Sequence, residues 1–213
     1  IKFFLLIIGS YLMGAVPFGV LFVRWSTGKD VRSVGSGRTG TTNSIRAAGY
    51  LIGVITLLFD VLKGAGAVWL ARWALPGNHW ATILAPLAAM IGHNYSIFLI
   101  EKNEKGNLRF RGGAGGATAL GGAFGLYPPA LIFLLTIGLV LYFGVGYASL
   151  ATMSVGIVSS LVFAVGALTG RLPAAYILYG VVAEGLLLWA LRPNIHALRS
   201  GTERRVSWRA QKS

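Results

Sequence analysis

Two glycine-punctuated stretches concentrate the side chains best suited to chemistry. The first, Gly35-Ser-Gly-Arg-Thr-Gly-Thr-Thr-Asn-Ser-Ile-Arg-Ala-Ala-Gly49, sets hydroxyls, an amide and the guanidinium groups of Arg38 and Arg46 between two long apolar runs. Glycines let successive backbone N–H groups turn toward one concavity, while Ser, Thr, Asn and Arg add donors that hold phosphate or carboxylate oxygens. The second, Gly112-Gly-Ala-Gly-Gly-Ala-Thr118, follows directly on the charged stretch from Glu101 to Arg111. Two such loops suggest two anionic groups held close together. Neither ends in Gly-Lys-Ser/Thr and neither follows a strand in a βαβ unit, which disfavours nucleotide hydrolysis. The chain has no cysteine, and His79, His93 and His196 lie on separate segments, so thiolate chemistry is excluded and neither a metal nor a cofactor is expected.

The elements that must position these residues are membrane helices. Of 213 residues, 55% are hydrophobic and 12% charged, with a mean hydropathy of +0.68, outside the range of a soluble globular domain. Apolar segments run from Phe3 to Val23, about Tyr50 to Leu70, about Ala81 to Ile100, Leu131 to Phe143, Ala151 to Leu168 and Ala174 to Leu191. The first reads as a transmembrane helix rather than a cleaved leader, because it continues past Pro17 and no small-x-small site follows it. A short Ala/Gly-rich stretch, Ala117 to Leu126, stopped by Pro128 and Pro129, reads as a helix packed inside the bundle. The fold expected is therefore an all-α integral membrane protein with seven spans. Five remain open if the short helix and its neighbour are not separate crossings. Asp60 and Lys63 share one face of the second span, either as an ion pair that locks helix packing or as support for the site.

A net charge of +13 could suggest nucleic acid, but the cations cluster at the ends of apolar runs, which reads as membrane topology and no nucleic-acid partner. With the N-terminus outside, fifteen cations fall on one side (Arg24, Lys29, Arg32, Arg38, Arg46, Lys102, Lys105, Arg109, Arg111, Arg192, Arg199, Arg204, Arg205, Arg209 and Lys212) and three, Lys2, Arg72 and Arg171, on the other. The positive-inside bias puts both glycine loops, the Ser149 segment and the C-terminal tail on the cytoplasmic face. One membrane-embedded domain, 1–213, is expected, with loops 24–48, 101–117 and 144–152 and tail 192–213 forming the active face.

The motifs together resemble those of the bacterial acyl-phosphate:glycerol-3-phosphate acyltransferases of the PlsY type. The first loop, with Arg46 and Gly49, is similar to that family's Gly-Ser-Gly-Asn-x-Gly-Ala-Thr-Asn motif with a later Arg and Gly. Further matches are Gly14-Ala-Val-Pro-Phe-Gly19, Phe59-Asp-Val-Leu-Lys-Gly64, Gly92-His93, Arg111-Gly-Gly-x-Gly-x-Ala-Thr118, Ser149-Leu150 and Asn194-Ile195, with Gly201 and Glu203 in the tail. The resemblance implies a seven-helix enzyme of the bacterial plasma membrane. It would transfer a fatty acyl group from acyl phosphate to the 1-hydroxyl of glycerol 3-phosphate, giving lysophosphatidic acid for phospholipid synthesis. Oligomeric state is not implied.

For single residues, the resemblance implies phosphate contacts on Ser36, Thr41, Thr42, Asn43, Arg46, Arg111, Gly112, Gly113, Gly115, Gly116 and Thr118, with Arg46 offsetting transition-state charge. His93 is a donor that orients a substrate, a general base, or a packing histidine. Ser149 and Thr152 are candidates for a hydrogen bond to substrate, while Asn194 and Glu203 would order the tail over the site. No serine has an evident His/Asp partner, so direct attack by the glycerol hydroxyl on the acyl phosphate is expected rather than an acyl-enzyme. Two positions depart from the family pattern. The second lysine of its Lys-Gly-Gly-Lys-Gly-Val-Ala-Thr motif is Ala114 here, with Arg111 and Gly116 replacing its first lysine and valine, and the asparagine of the first motif is Arg38. Arg38 is thus the candidate to supply the missing charge. An organic-phosphate transporter and a catalytically degenerate membrane scaffold are the other readings, the latter motivated by Ala114.

Overall fold

Apolar helix formers interrupted by few charges give the chain its architecture, and the breaks fall where glycine, proline or charge collects. A computed structural model describes residues 1–102 and 106–206. Lys105, Arg209 and Lys212, counted above for topology, and the tail beyond residue 206 lie outside the described residues. The chain forms α1 (Lys2–Ala15), α2 (Phe18–Thr27), α3 (Thr41–Ala74), α4 (His79–Asn94), the strands β1 (Ile100–Lys102) and β2 (Leu108–Phe110), then α5 (Gly116–Leu126), α6 (Ala130–Leu139), α7 (Ala148–Leu168) and α8 (Ala175–Arg199). Pro17 separates α1 from α2, where its ring and missing N–H break the ladder.

Among the described residues, five stretches are long and apolar enough to cross a membrane: Lys2–Thr27, Thr41–Ala74, His79–Leu99, Ala148–Leu168 and Ala175–Arg199. Gly116–Leu126 and Ala130–Val145 are shorter. The helical expectation therefore holds, with one addition and one change of boundary. The charged segment after α4 folds back as an antiparallel hairpin, Ile100 opposite Phe110 and Lys102 opposite Leu108. The second span is not preceded by a loop up to residue 48. Its helix starts at Thr41, so Thr42, Asn43 and Arg46 stand on the first turns of α3. Gly40 caps that end in an extended conformation, and the Ser44 hydroxyl donates to the Gly40 carbonyl. Gly49, at φ 84 and ψ 175, then kinks the helix in a conformation that glycine alone takes readily.

Small residues let backbones meet, the packing mode expected where lipid supplies no hydrophobic drive between helices. A side chain at Gly14 or Gly92 would overlap the backbone of α4 or α1, and one at Gly64 or Gly121 the backbone of α5 or α3. α3 and α5 run parallel, since Gly64 meets Thr118 while Arg72, further along, donates to the Leu126 carbonyl at 2.8 Å. α7 and α8 run antiparallel, with Gly156 against Glu184 and Ser160 against Gly180. The largest buried cluster joins α3 through α8 around Met90, Phe163, Tyr179 and Leu187. Tyr179, wholly buried, donates its hydroxyl to the Ala119 carbonyl at 2.7 Å.

Candidate functional site

The first glycine loop is folded by its own amide. Asn43, buried on the first turn of α3, donates from Nδ2 to Ser36 Oγ at 3.0 Å and to the Arg38 carbonyl at 2.9 Å. Its Oδ1 accepts from Arg46 Nη1 at 3.1 Å. Gly35 and Gly37 take φ of 59 and 72, which brings the loop back over Asn43 and Arg46; a Cβ on Gly35 would overlap Asn43 Oδ1 and crowd Arg46. Ser36, Asn43 and Arg46 are thus one hydrogen-bonded unit at the N-terminal end of α3, where the helix dipole favours an anion. Thr41 opens the helix and Thr42 follows it, both half-buried.

The second loop is tied to the first and to α4. Thr39 N–H donates to the Gly112 carbonyl at 3.3 Å, and Gly113 N–H to the His93 carbonyl at 3.0 Å. The Gly113 amide is therefore spent inside the protein. Gly115, at φ 92, caps α5 and leaves Gly116, Ala117 and Thr118 on its first turn. The glycines are needed for close approach. A Cβ at Gly112 would overlap the carbonyls of His93 and Asn94, one at Gly113 the imidazole of His93, and one at Gly116 would press on Thr152. The Thr118 hydroxyl is buried without a partner, and so is the whole amide of Asn94, which faces Gly115. Sequence reasoning singled out Thr118 but missed Asn94, whose only signal was polarity in the last turn of an apolar helix.

Behind the second loop lies a buried ionic cluster. Lys63 Nζ is 2.8 Å from Asp60 Oδ1, and His93 Nδ1 is 3.6 Å from the same oxygen. Lys63 also donates to the Val16 carbonyl at 3.2 Å, which accepts the Phe18 N–H as well at the break between α1 and α2. Asp60 and Lys63 thus form a buried ion pair, and His93 sits between that pair and Gly113. Arg111 is engaged by Glu101, which also lies 3.8 Å from Arg32, and Arg32 forks onto Asp30 at 2.7 to 3.0 Å. The Arg32 guanidinium holds the Asp30 carboxyl below its ordinary range.

A third group arrives from α7, α8 and the tail. Ser149 Oγ donates to Glu203 Oε1 at 2.9 Å, and Asn194 Nδ2 donates to the same oxygen at 2.8 Å. Arg38 Nη1 donates to Asn194 Oδ1 at 2.8 Å, and its Nη2 to the Ala190 carbonyl. Burial pushes the Arg38 guanidinium down from its ordinary value, against the pull of Glu203. Thr152 donates its hydroxyl to Ala148 within its own helix at 2.9 Å. The structure therefore joins Arg38, Asn194, Glu203 and Ser149 into one chain of contacts, and holds Ser36, Asn43 and Arg46 in a second. Both groups are linked to Gly112 through residues 38 and 39. No group of three or more His, Cys, Asp or Glu that could hold a metal occurs among the described residues.

The chain matches the glycerol-3-phosphate acyltransferase family over residues 4–201. It is similar to the glycerol-3-phosphate acyltransferase of Rubrobacter xylanophilus, 41% identical over 97% of this chain and 96% of that one. A protein of the same description from Thermus thermophilus is 38% identical over 95% of this chain and 94% of that one. Among solved structures it is similar to PlsY (YgiH), an integral membrane glycerol 3-phosphate acyltransferase. The glycerol 3-phosphate form superposes with a TM-score of 0.82 at 32% identity, covering 96% of each chain. The lysophosphatidic acid form superposes with a TM-score of 0.79 at 30% identity, covering 96% of this chain and 95% of that one. With the glycine loops, the α3 arginine and the tail carboxylate assembled in one fold, the chain belongs to the glycerol-3-phosphate acyltransferase family.

Proposed function

We propose that this protein transfers a fatty acyl group from acyl phosphate to the 1-hydroxyl of glycerol 3-phosphate, giving lysophosphatidic acid and phosphate. The observation that carries the reading is the union of two glycine loops through Thr39 and Gly112, which sets Arg46 and the free first turn of α5 on one site. In the reaction the glycerol oxygen bonds to the acyl carbonyl carbon, the bond from that carbon to the phosphate oxygen breaks, and the hydroxyl proton passes to a phosphate oxygen. Acyl phosphate is already activated, so the protein's part is to place two anions within bonding distance and stabilise their charge.

Arg46, with Ser36, Thr41, Thr42 and Asn43, holds one phosphate. The Gly112, Gly115 and Gly116 amides with Thr118 hold the other, helped by the α5 dipole. His93 orients the second loop through its carbonyl and meets the site through its ring. Ser149, with Thr152 one turn further along α7, lines the face opposite, and Asn194 and Glu203 hold the tail across it. Arg38 supplies the positive charge that Ala114 does not, by fixing Asn194 at the site's edge.

The active face is cytoplasmic, and the chain crosses the inner membrane seven times. Parallel α3 and α5 need α4 to return the chain between them. α5 and α7 begin side by side at Gly116 and Thr152, so α6 brings the chain back. α5 is short because an 11-residue helix rises about 16 Å against a hydrocarbon core of about 30 Å. The irregular backbone of residues 111–115 dips inward and is sheltered by α4, as membrane depth requires.

Purified protein incubated with palmitoyl phosphate and glycerol 3-phosphate is expected to release lysophosphatidate and inorganic phosphate in equal amounts. An Arg46→Ala variant should lose at least about tenfold in kcat/KM, the worth of one charged hydrogen bond. Uptake of intact glycerol 3-phosphate into vesicles without product would favour the transporter reading, and folded but inert protein the scaffold reading. A burst of acyl-enzyme in single turnover would overturn direct attack.

A further inference from the structure

The hairpin that follows α4 has two unlike faces. In an antiparallel pair, residues directly opposite each other project to the same side, and that side alternates along the strand. The register sets Ile100 opposite Phe110 and Lys102 opposite Leu108, so these four share one face, while Glu101 and Arg109 share the other. The face with Glu101 is turned to the protein. Glu101 engages Arg111 and lies 3.8 Å from Arg32, and Arg111 in turn lies beside Gly37 of the first glycine loop. The opposite face is open: Leu108 is 64% exposed, and Ile100, Lys102 and Phe110 are exposed with it. Phe98, 57% exposed, extends this apolar surface from the turn before β1. The base of the hairpin is fixed. Leu99 packs with Val20, Val23, Val31 and Ile52, and the Arg111 N–H donates to the Leu99 carbonyl at 3.2 Å.

Position and charge say what covers that face. The stretch His79–Leu99 is long and apolar enough to cross a membrane, so β1 begins where the chain would leave the hydrocarbon. The open face carries a lysine and no acid, which matches a surface of anionic headgroups over acyl chains. A lysine stem can lie along apolar neighbours while its ammonium reaches a phosphate. We propose that the hairpin is an interfacial anchor for an anionic leaflet. Ile100, Leu108 and Phe110 dip into the boundary between headgroups and acyl chains, and Lys102 binds lipid phosphate. β2 runs through Arg111 straight into Gly112, so the anchor sets the level of the second glycine loop against the leaflet. This holds whether or not the protein transfers an acyl group, and its test needs no turnover.

The chain has no cysteine, so the full chain can carry one spin label at a time, on Leu108→Cys, Phe110→Cys or Arg109→Cys. Each protein is placed in nanodiscs of phosphatidylcholine with or without phosphatidylglycerol. Oxygen concentrates in hydrocarbon and a nickel chelate in water, so the ratio of their collision rates with the label reads depth. With phosphatidylglycerol present, the oxygen-to-nickel ratio at residues 108 and 110 is expected to be several-fold above that at residue 109. Leaving out phosphatidylglycerol should lower the ratio at residue 108. Lys102→Gln should abolish that response, and added salt should weaken it. Should a label disturb the strands, Phe98→Cys reads the same surface from outside them and should give the lipid-side ratio. Ratios at residues 98, 108 and 110 no higher than at residue 109 would overturn the anchor. A ratio at residue 108 indifferent to phosphatidylglycerol would overturn the headgroup contact. Broadening at residue 108 that disappears on dilution with unlabelled protein would show a second copy on this face, and would overturn the lipid assignment.

Discussion

Arg38 shows how a single residue can trade free charge for position. Two of its donors go to Asn194 Oδ1 and the Ala190 carbonyl, so its charge reaches the site from a fixed place and the Asn194 amide is left to bind Glu203. Arg38→Asn should release both ends of this chain and raise KM for glycerol 3-phosphate about tenfold, with kcat less affected; an unchanged KM would show that Arg38 does not supply the charge missing at position 114. Arg38→Lys should fall between, because one ammonium cannot reproduce the fork. Asp60 and Lys63 invite the opposite kind of experiment. Removing either partner leaves a buried charge, and the Asp60→Asn or Lys63→Met protein should lose about 3 to 5 kcal/mol, read as a fall in melting temperature. Changing both together should recover much of that loss. If Asp60 also holds the His93 ring, the stable double variant will still be slow, which decides between a packing pair and a support for the site.

Among the elements, the segment joining α2 to α3 is held by ion pairs. Asp30 caps the turn Val31–Ser33, and Arg32 grips it while reaching toward Glu101 beside the hairpin. Its carboxyl titrates below the ordinary value near 3.8. A depressed pKa contributes order that is complete above the ordinary value and lost as pH falls through the lower folded one. The protection of the amides at residues 30–34, their exchange rate relative to that of an unstructured peptide at the same pH, should therefore be high at neutral pH and fall below about pH 4, and Asp30→Asn should show low protection that does not change across that window. The pair is half exposed, so salt should weaken the effect.

The same region shows what could and could not be read from the residues. The long spans were legible because apolar runs have no other stable place, and both glycine loops stood out against them. The start of α3 was not, since Thr41 to Arg46 form a polar first turn and hydrophobic periodicity begins only at Tyr50. The hairpin was hidden too, because each strand is only three residues long and mostly exposed, too short for an alternating pattern to stand out. Contacts such as Arg38 with Asn194, 156 residues apart, depend on how helices pack, which no local pattern states. Nor does any side chain announce that α6 passes into a π-helix at Val140–Val145.

At the scale of the whole molecule, the number of crossings turns on α5 and α6, neither long enough by itself to be obvious. On the proposal of seven crossings each of them crosses, and the turn at Pro128 lies on the same side as Pro76 and Arg171, opposite Ser33 and Ser200. The absence of native cysteine makes this a clean measurement. All five positions are exposed, so a cysteine placed singly at each can meet a membrane-impermeant maleimide. In intact cells Pro76→Cys, Pro128→Cys and Arg171→Cys should label, while Ser33→Cys and Ser200→Cys should label only after the membrane is opened. Pro128 is the deciding position. If α5 and α6 only dip into the bundle and return, Pro128→Cys will be protected in intact cells or will follow Ser33→Cys, and the fold would have five crossings with the first glycine loop still facing the cytoplasm. Labelling from outside would mean that the short α5 spans its full depth from the buried Gly115 to the far surface. The second phosphate loop would then lie well below the membrane plane, where a helix N-terminus acts on an anion with little screening by water.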